Sequence, residues 1–222
     1  MSVHPRPLRN ALVIVAAALA LFFGALASES AQAKTIHLVA LGDSLTAGYG
    51  LAPGEAYPSV LEKALKDKGW DVAIANAGVS GDTAEDGAAR ADWSVPDGTD
   101  GVLLELGAND ALRGLPPKKA KAALERIIAG FGKRKIPVML IGVYAPRNLG
   151  QDYVQAFDGI YSALAKEHEL VFYPFFLDGV VGEAKLNLQD GMHPSAEGVR
   201  MVVRRMLPTV EHFLRTLQGG KE

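Results

Sequence analysis

Ser44, Asn109, Asp190 and His193 are the residues whose types and spacing could carry chemistry. Acyl transfer needs a nucleophile beside a base, a carboxylate to orient that base, and donors aimed at the developing oxyanion. Ser44 stands in Gly42-Asp43-Ser44-Leu45, directly after an apolar run. His193 is the best base, and Asp190 precedes it by three residues, close enough for one short turn to set carboxylate against imidazole. The expected relay runs Ser44 to His193 to Asp190, with the roles of a serine-hydrolase triad. The expected oxyanion donors are the backbone N–H of Ser44, the backbone N–H of Gly78 and the side-chain amide of Asn109. Glycine at 78 is read as letting the backbone approach a substrate closely.

Each of these stretches alone also has a plainer reading. Gly-Asp-Ser after a strand is commonly a turn with a cap, and Asn109-Asp110 a loop that bonds its own backbone. Asp43 is read as a structural cap. Asp110 is the rival triad acid, but no histidine lies beside it. His37 is read as a satisfied sheet residue, His168 and His212 as surface groups, and Lys118, Lys119 and Lys121 as a solvated helix face. Phe172, Tyr173, Phe175 and Phe176 are read as core, near enough to a strand end to touch a substrate.

The elements that must position these groups alternate between strand and helix. Apolar runs at 35–41, 72–75, 101–107, 137–143 and 170–173 read as buried strands. Helical spacing is expected over 57–68, 83–93 with Asp82 as cap, 116–131, 153–168, and from the Ser195 cap to about 217, with Pro208 kinking or dividing the last. Nearly all-apolar strands alternating with amphipathic helices argue for a parallel sheet covered on both faces. In such sheets ligands bind beyond the carboxyl ends of the strands, where these polar residues collect.

The four blocks together resemble the SGNH, or GDSL, hydrolase family: Gly42-Asp43-Ser44-Leu45, Gly78, Gly107-x-Asn109-Asp110, and Asp190-x-x-His193-Pro194. The resemblance spans about 36–215. Within the family, 40–51 and 76–83 look like the bacterial arylesterase branch, which includes the periplasmic acyl-CoA thioesterase/lysophospholipase. It implies an α/β fold: a three-layer α/β/α sandwich, flavodoxin-like, with about five parallel strands. It also implies no metal and no organic cofactor. The loop 144–150 after strand four is where such enzymes often shape an acyl pocket. The expected activity is a serine esterase acting on small acyl or aryl esters and thioesters, with lysophospholipids as further substrates. A carbohydrate acetyl esterase with the same machinery, or a non-catalytic periplasmic binding domain, are the alternatives; the former would want an aromatic platform, and only 7% of the chain is aromatic.

Composition narrows the rest. The chain has 222 residues, 49% hydrophobic, with no cysteine. A disulfide scaffold, a thiolate metal site and a cysteine nucleophile are thereby excluded. Twenty-three basic and 25 acidic residues leave a formal charge of −2, no electrostatic footprint for nucleic acid. Arg6 and Arg9 precede an uncharged run over 11–27, and Ala31-Gln32-Ala33 has the form of a cleavage site. Residues 1–33 therefore read as a signal peptide and 34–222 as a single hydrolase domain, periplasmic or secreted and without a membrane anchor after cleavage. A monomer is expected.

Overall fold

The computed structural model describes residues 34–219 together with Met1, so the expected signal peptide lies outside the described residues. Five strands form one parallel sheet: β1 (Ile36–Gly42), β2 (Val72–Gly78), β3 (Gly101–Glu105), β4 (Val138–Ile141) and β5 (Val171–Tyr173), in the order β2-β1-β3-β4-β5. Every residue of β3 and β4 is buried, as expected where helices cover both faces. The helices are α1 (Ser44–Ala47), α2 (Tyr57–Lys66), α3 (Ala84–Ser94), α4 (Ala108–Leu112), α5 (Pro117–Lys133), α6 (Gln151–Glu167) and α7 (Ala196–Gly219). Helices α2 and α7 pack together against the sheet; α3, α5 and α6 form a second packed layer. The α/β/α architecture expected from the alternation is the one found.

Local chemistry explains these elements. In α5 the buried Ala120, Ala123, Leu124, Ile127, Ile128 and Phe131 recur at helical spacing. Thr83 caps α3 rather than Asp82: its hydroxyl accepts from the Asp86 N–H, and the Asp86 carboxylate takes the Thr83 N–H in return. Asp82 is free for another task, described below. Pro208 does not divide α7, which runs unbroken from 196 to 219. Eight residues from Val199 to Leu217 bury one face of that helix, and packing of this extent outweighs the one lost backbone bond. Ser195 does serve its first turn, accepting from the Gly198 N–H.

The register places the functional loops. Gly42 pairs with Gly78 of β2 on one side and with Glu105 of β3 on the other, so three strands end level. The chain leaves β1 for β2 on one side and reaches β3 on the other. This reversal opens a crevice at the carboxyl end of β1. No helix among the described residues is long and apolar enough to cross a membrane.

Candidate active site

Ser44 opens α1 directly beyond β1. Asp43 is its N-cap, accepting the Leu45 N–H at 3.0 Å, which bears out the structural reading of that residue. Gly48, with φ of 81°, ends the helix after one turn. The serine is thus held at the mouth of the crevice by a cap on one side and a left-handed turn on the other.

His193 arrives from the opposite end of the sequence. Its loop is closed by the Asn187–Pro194 antiparallel bridge and by the Leu188 N–H, which donates to the His193 carbonyl at 2.7 Å. Within the loop, Asp190 Oδ1 accepts the N–H groups of Met192 and His193 at 2.9 and 3.0 Å. Its Oδ2 meets His193 Nδ1 at 2.7 Å, and His193 Nε2 meets Ser44 Oγ at 2.9 Å. The expected relay is assembled, across 149 residues of sequence. Tyr49 lies against the imidazole with ring centroids 4.6 Å apart. The two N–H bonds, then the imidazole, hold Asp190 down to about 2, so it stays ionised at any working pH.

The oxyanion side departs from expectation at one position. The Gly78 N–H donates to Asn76 Oδ1 at 2.9 Å, and a Cβ at 78 would collide with the backbone of Ala47. Glycine there serves close packing of β2 on α1, not approach of a substrate, and Gly78 is not in the cavity wall. Gly81 is in that wall, with Ser44, Ser80 and Asn109. Among the described residues, no partner takes the N–H of Ser44 or of Gly81. Gly81 has φ of 91°, a conformation only glycine adopts easily. The signal was legible in Ser80-Gly81-Asp82, three residues beyond the glycine chosen from sequence. The Asn109 amide donates to the Asp82 carbonyl at 2.9 Å and more loosely to Asp43 Oδ2 at 3.4 Å. Asp110 is no rival acid: its carboxylate takes the Ala84 N–H at 2.8 Å and supports the start of α3.

Two buried charged residues escaped the sequence reading. Arg90, on the inner face of α3, donates to Asp82 Oδ2 at 2.6 Å, to the Ala77 carbonyl at 2.8 Å and to the Gly42 carbonyl at 2.8 Å. One guanidinium thus ties the ends of β1 and β2 to the Gly81 loop. Its signal was an arginine among the apolar positions Ala84, Gly87 and Ala91. Glu105 interrupts the apolar β3 and is fully buried; its Oε2 accepts the Thr46 hydroxyl at 2.8 Å.

A cavity of about 650 Å³ opens at this point. Leu112, Val143, Tyr144, Phe175, Leu177 and Val181 supply its apolar wall. Tyr144 and Phe175 stack at 4.4 Å. The loop 144–150 does contribute, through Tyr144 to Arg147; Arg147 is pinned by Asp158 at 2.6 Å. Of the four aromatics near β5, Phe175 faces the cavity while Tyr173 and Phe176 are core. His37 is exposed, and His168 is half-buried. Glu125, Glu167 and His168 stand close enough to share an ion, but they lie away from this cavity and Lys121 already pairs with Glu167 at 3.6 Å.

Residues 40–201 match the GDSL-like Lipase/Acylhydrolase family. The chain belongs to this family. Among its relatives, an arylesterase of Vibrio mimicus is 39% identical over 180 residues, covering 81% of this chain and 88% of that protein. The thioesterase 1/protease 1/lysophospholipase L1 of Escherichia coli K12 is 33% identical over 197 residues, covering 86% and 92%. Among solved structures, the SGNH-hydrolase family esterase AlinE4 is 43% identical with a TM-score of 0.69, covering 82% of this chain and 97% of that one. A structure of TesA is 33% identical with a TM-score of 0.74, covering 78% of this chain and 97% of that one. The protein is a GDSL-type hydrolase, and its five-stranded sheet is that of the family.

Asp43 gives the site a pH-dependent cost. Burial, opposed in part by the Leu45 N–H and by His193, pushes its carboxyl from 3.8 up to about 6. A carboxyl raised in the folded state favours folding below its unfolded value and loses that contribution as pH climbs through about 6. Asparagine keeps the cap without the buried charge. The Tm difference between Asp43→Asn and the parent is therefore expected to be more favourable to the variant at about pH 8 than at about pH 4. Thermal unfolding followed by circular dichroism checks it; a difference independent of pH refutes the assignment.

Proposed function

We propose that the protein is a serine esterase that cleaves acyl and aryl esters and thioesters through an acyl-enzyme on Ser44. The observation that carries this reading is the continuous chain from Ser44 Oγ through His193 to Asp190, at 2.9 and 2.7 Å, opening on an apolar cavity. His193 Nε2 takes the hydroxyl proton as Oγ attacks the carbonyl carbon; Asp190 holds the proton of Nδ1 and stabilises the imidazolium. The tetrahedral oxyanion then meets the free N–H groups of Ser44 and Gly81 and the loosely engaged hydrogen of the Asn109 amide. The imidazolium returns its proton to the leaving alcohol or thiol. Water repeats the sequence on the acyl-enzyme and frees the acid.

The cavity is of a size to take an acyl chain or an aromatic ring with a small leaving group. Its wall of Leu112, Val143, Phe175 and Leu177 matches an apolar acyl or aryl group. The names of the arylesterase and thioesterase/lysophospholipase relatives support the same classes. The segment 1–33, with its arginines, apolar run and Ala-Gln-Ala end, supports delivery to the periplasm or medium.

A matched panel decides substrate class: aryl acetates, medium-chain acyl thioesters, a lysophospholipid and acetylated xylan. Aryl acetate and thioester are expected to give kcat/KM at least ~10²-fold above acetylated xylan, the reach of apolar contacts in such a pocket. Preference for the xylan would reverse the reading in favour of a carbohydrate acetyl esterase.

A further inference from the structure

Beneath the Ser44 turn lie buried polar side chains that the reaction does not use. Asp43, Thr46, Tyr57 and Glu105 each have 0% exposure. They come from the turn itself, from α2 and from β3. Strand pairing sets Glu105 beside Gly42. Glu105 Oε2 is satisfied by the Thr46 hydroxyl, but Oε1 is buried with no hydrogen-bond partner, and so is the Tyr57 hydroxyl. The carboxyl of Asp43 neighbours that of Glu105.

We propose that Glu105 is a positioning residue for the nucleophile: held between Thr46 and Asp43, it locks the turn that presents Ser44 and the amide of Asn109. This rests on the reading of Ser44 as nucleophile.

Two adjacent carboxyls out of water do not both ionise. Asp43 has the better claim to the charge. It accepts the Leu45 N–H, takes the Asn109 amide at 3.4 Å and feels the attraction of His193, against the repulsion of Asp82 and Asp110. Glu105 is met by neutral donors, the Thr46 hydroxyl at 2.8 Å and the backbone N–H of Asp43. Burial and the Asp43 charge both push Glu105 well above the ordinary carboxylate range. The phenols that face it, Tyr57 and Tyr161, are themselves pushed up and stay neutral. A proton on Oε1 converts the orphaned acceptor into a donor toward Asp43. The neutral Glu105 thus anchors Thr46 below and the Asp43 anion above. That anion grips the N–H of the residue after the nucleophile and holds the Asn109 amide only loosely, at 3.4 Å, until an oxyanion takes that hydrogen.

The test compares Glu105→Gln and Glu105→Ala with the parent and Ser44→Ala on an aryl ester. Glutamine can make both bonds of the protonated acid, and kcat and KM are expected to stay within about threefold of the parent. Alanine is expected to lower kcat by about 10²-fold at unchanged KM, the scale of a small misplacement of reacting groups. Labelling of Ser44 by a fluorophosphonate should slow in parallel. The parent should show a protonated-carboxyl infrared band at about pH 8 that Glu105→Gln lacks. Should Glu105→Ala fail to fold, Thr46→Val removes the anchored hydroxyl and is expected to lower kcat at unchanged KM. Equal loss in the glutamine and alanine variants, undiminished kcat in alanine (or in Thr46→Val where alanine does not fold), or absence of the infrared band overturns the proposal. Loss of the nucleophile reading is seen separately, as turnover in Ser44→Ala or failure of the parent to label at Ser44.

Discussion

Ser44→Ala is expected to lower kcat by about 10⁴- to 10⁶-fold while leaving the fold intact. The Ser44 Oγ opens on the cavity and sits 2.9 Å from His193 Nε2, the placement a nucleophile needs beside its base. Its removal deletes the covalent route and leaves only what oriented donors do for a bound water. Ser44 is half-buried and Asp43, not Ser44, caps α1. Loss of the hydroxyl therefore breaks no structural bond, and Tm should move by no more than a few degrees. His193→Ala should lose turnover to a similar extent, and the double variant little more, because the two act as a unit. Steady-state kinetics with unfolding curves on the same preparations check this. Turnover within tenfold of the parent in either single variant would place the nucleophile elsewhere.

Asp190→Asn is expected to lower kcat by about 10⁴-fold, the scale seen when a triad carboxylate becomes an amide. The geometry dictates the direction. Asp190 Oδ1 already accepts two backbone N–H groups, from Met192 and His193. In the variant only the amide oxygen can keep those bonds, so the amide NH2 must take the place of Oδ2. It then faces His193 Nδ1 at the position now 2.7 Å away and donates to it. The imidazole is forced into the tautomer with its proton on Nε2, facing Ser44, where it cannot accept the hydroxyl proton. The loop should hold its shape, since both backbone bonds survive. A fall of kcat with KM unchanged is the expected signature, and a variant with near-parental kcat would show that another group orients His193.

Strand identity was legible in the sequence because parallel strands covered on both faces are apolar over most of their length. Helix ends were less so. Asp82 and Thr83 are adjacent residues of capping type, and only the position of Asp86 settles which one caps α3. Pro208 does not divide α7, because eight buried side chains hold the helix to the core on both sides of it. Arg90 and Glu105 were visible as charges among apolar neighbours. What they do depends on partners in other strands, which linear periodicity does not name.

The same division runs through the active site. Ser44, Asn109, Asp190 and His193 could be chosen from the sequence because acyl transfer admits few residue types and because strand ends are where a parallel sheet exposes them. The Asp190–His193 contact is local, three residues apart, and any tight turn would make it. The meeting of His193 with Ser44, the engagement of the Gly78 N–H by Asn76 while that of Gly81 stays unbonded among the described residues at the cavity, and the buried adjacency of Asp43 and Glu105 were decided only by the tertiary structure. Each depends on which backbone groups are already bonded and which strands end level, and those are properties of the packed sheet rather than of any segment within it.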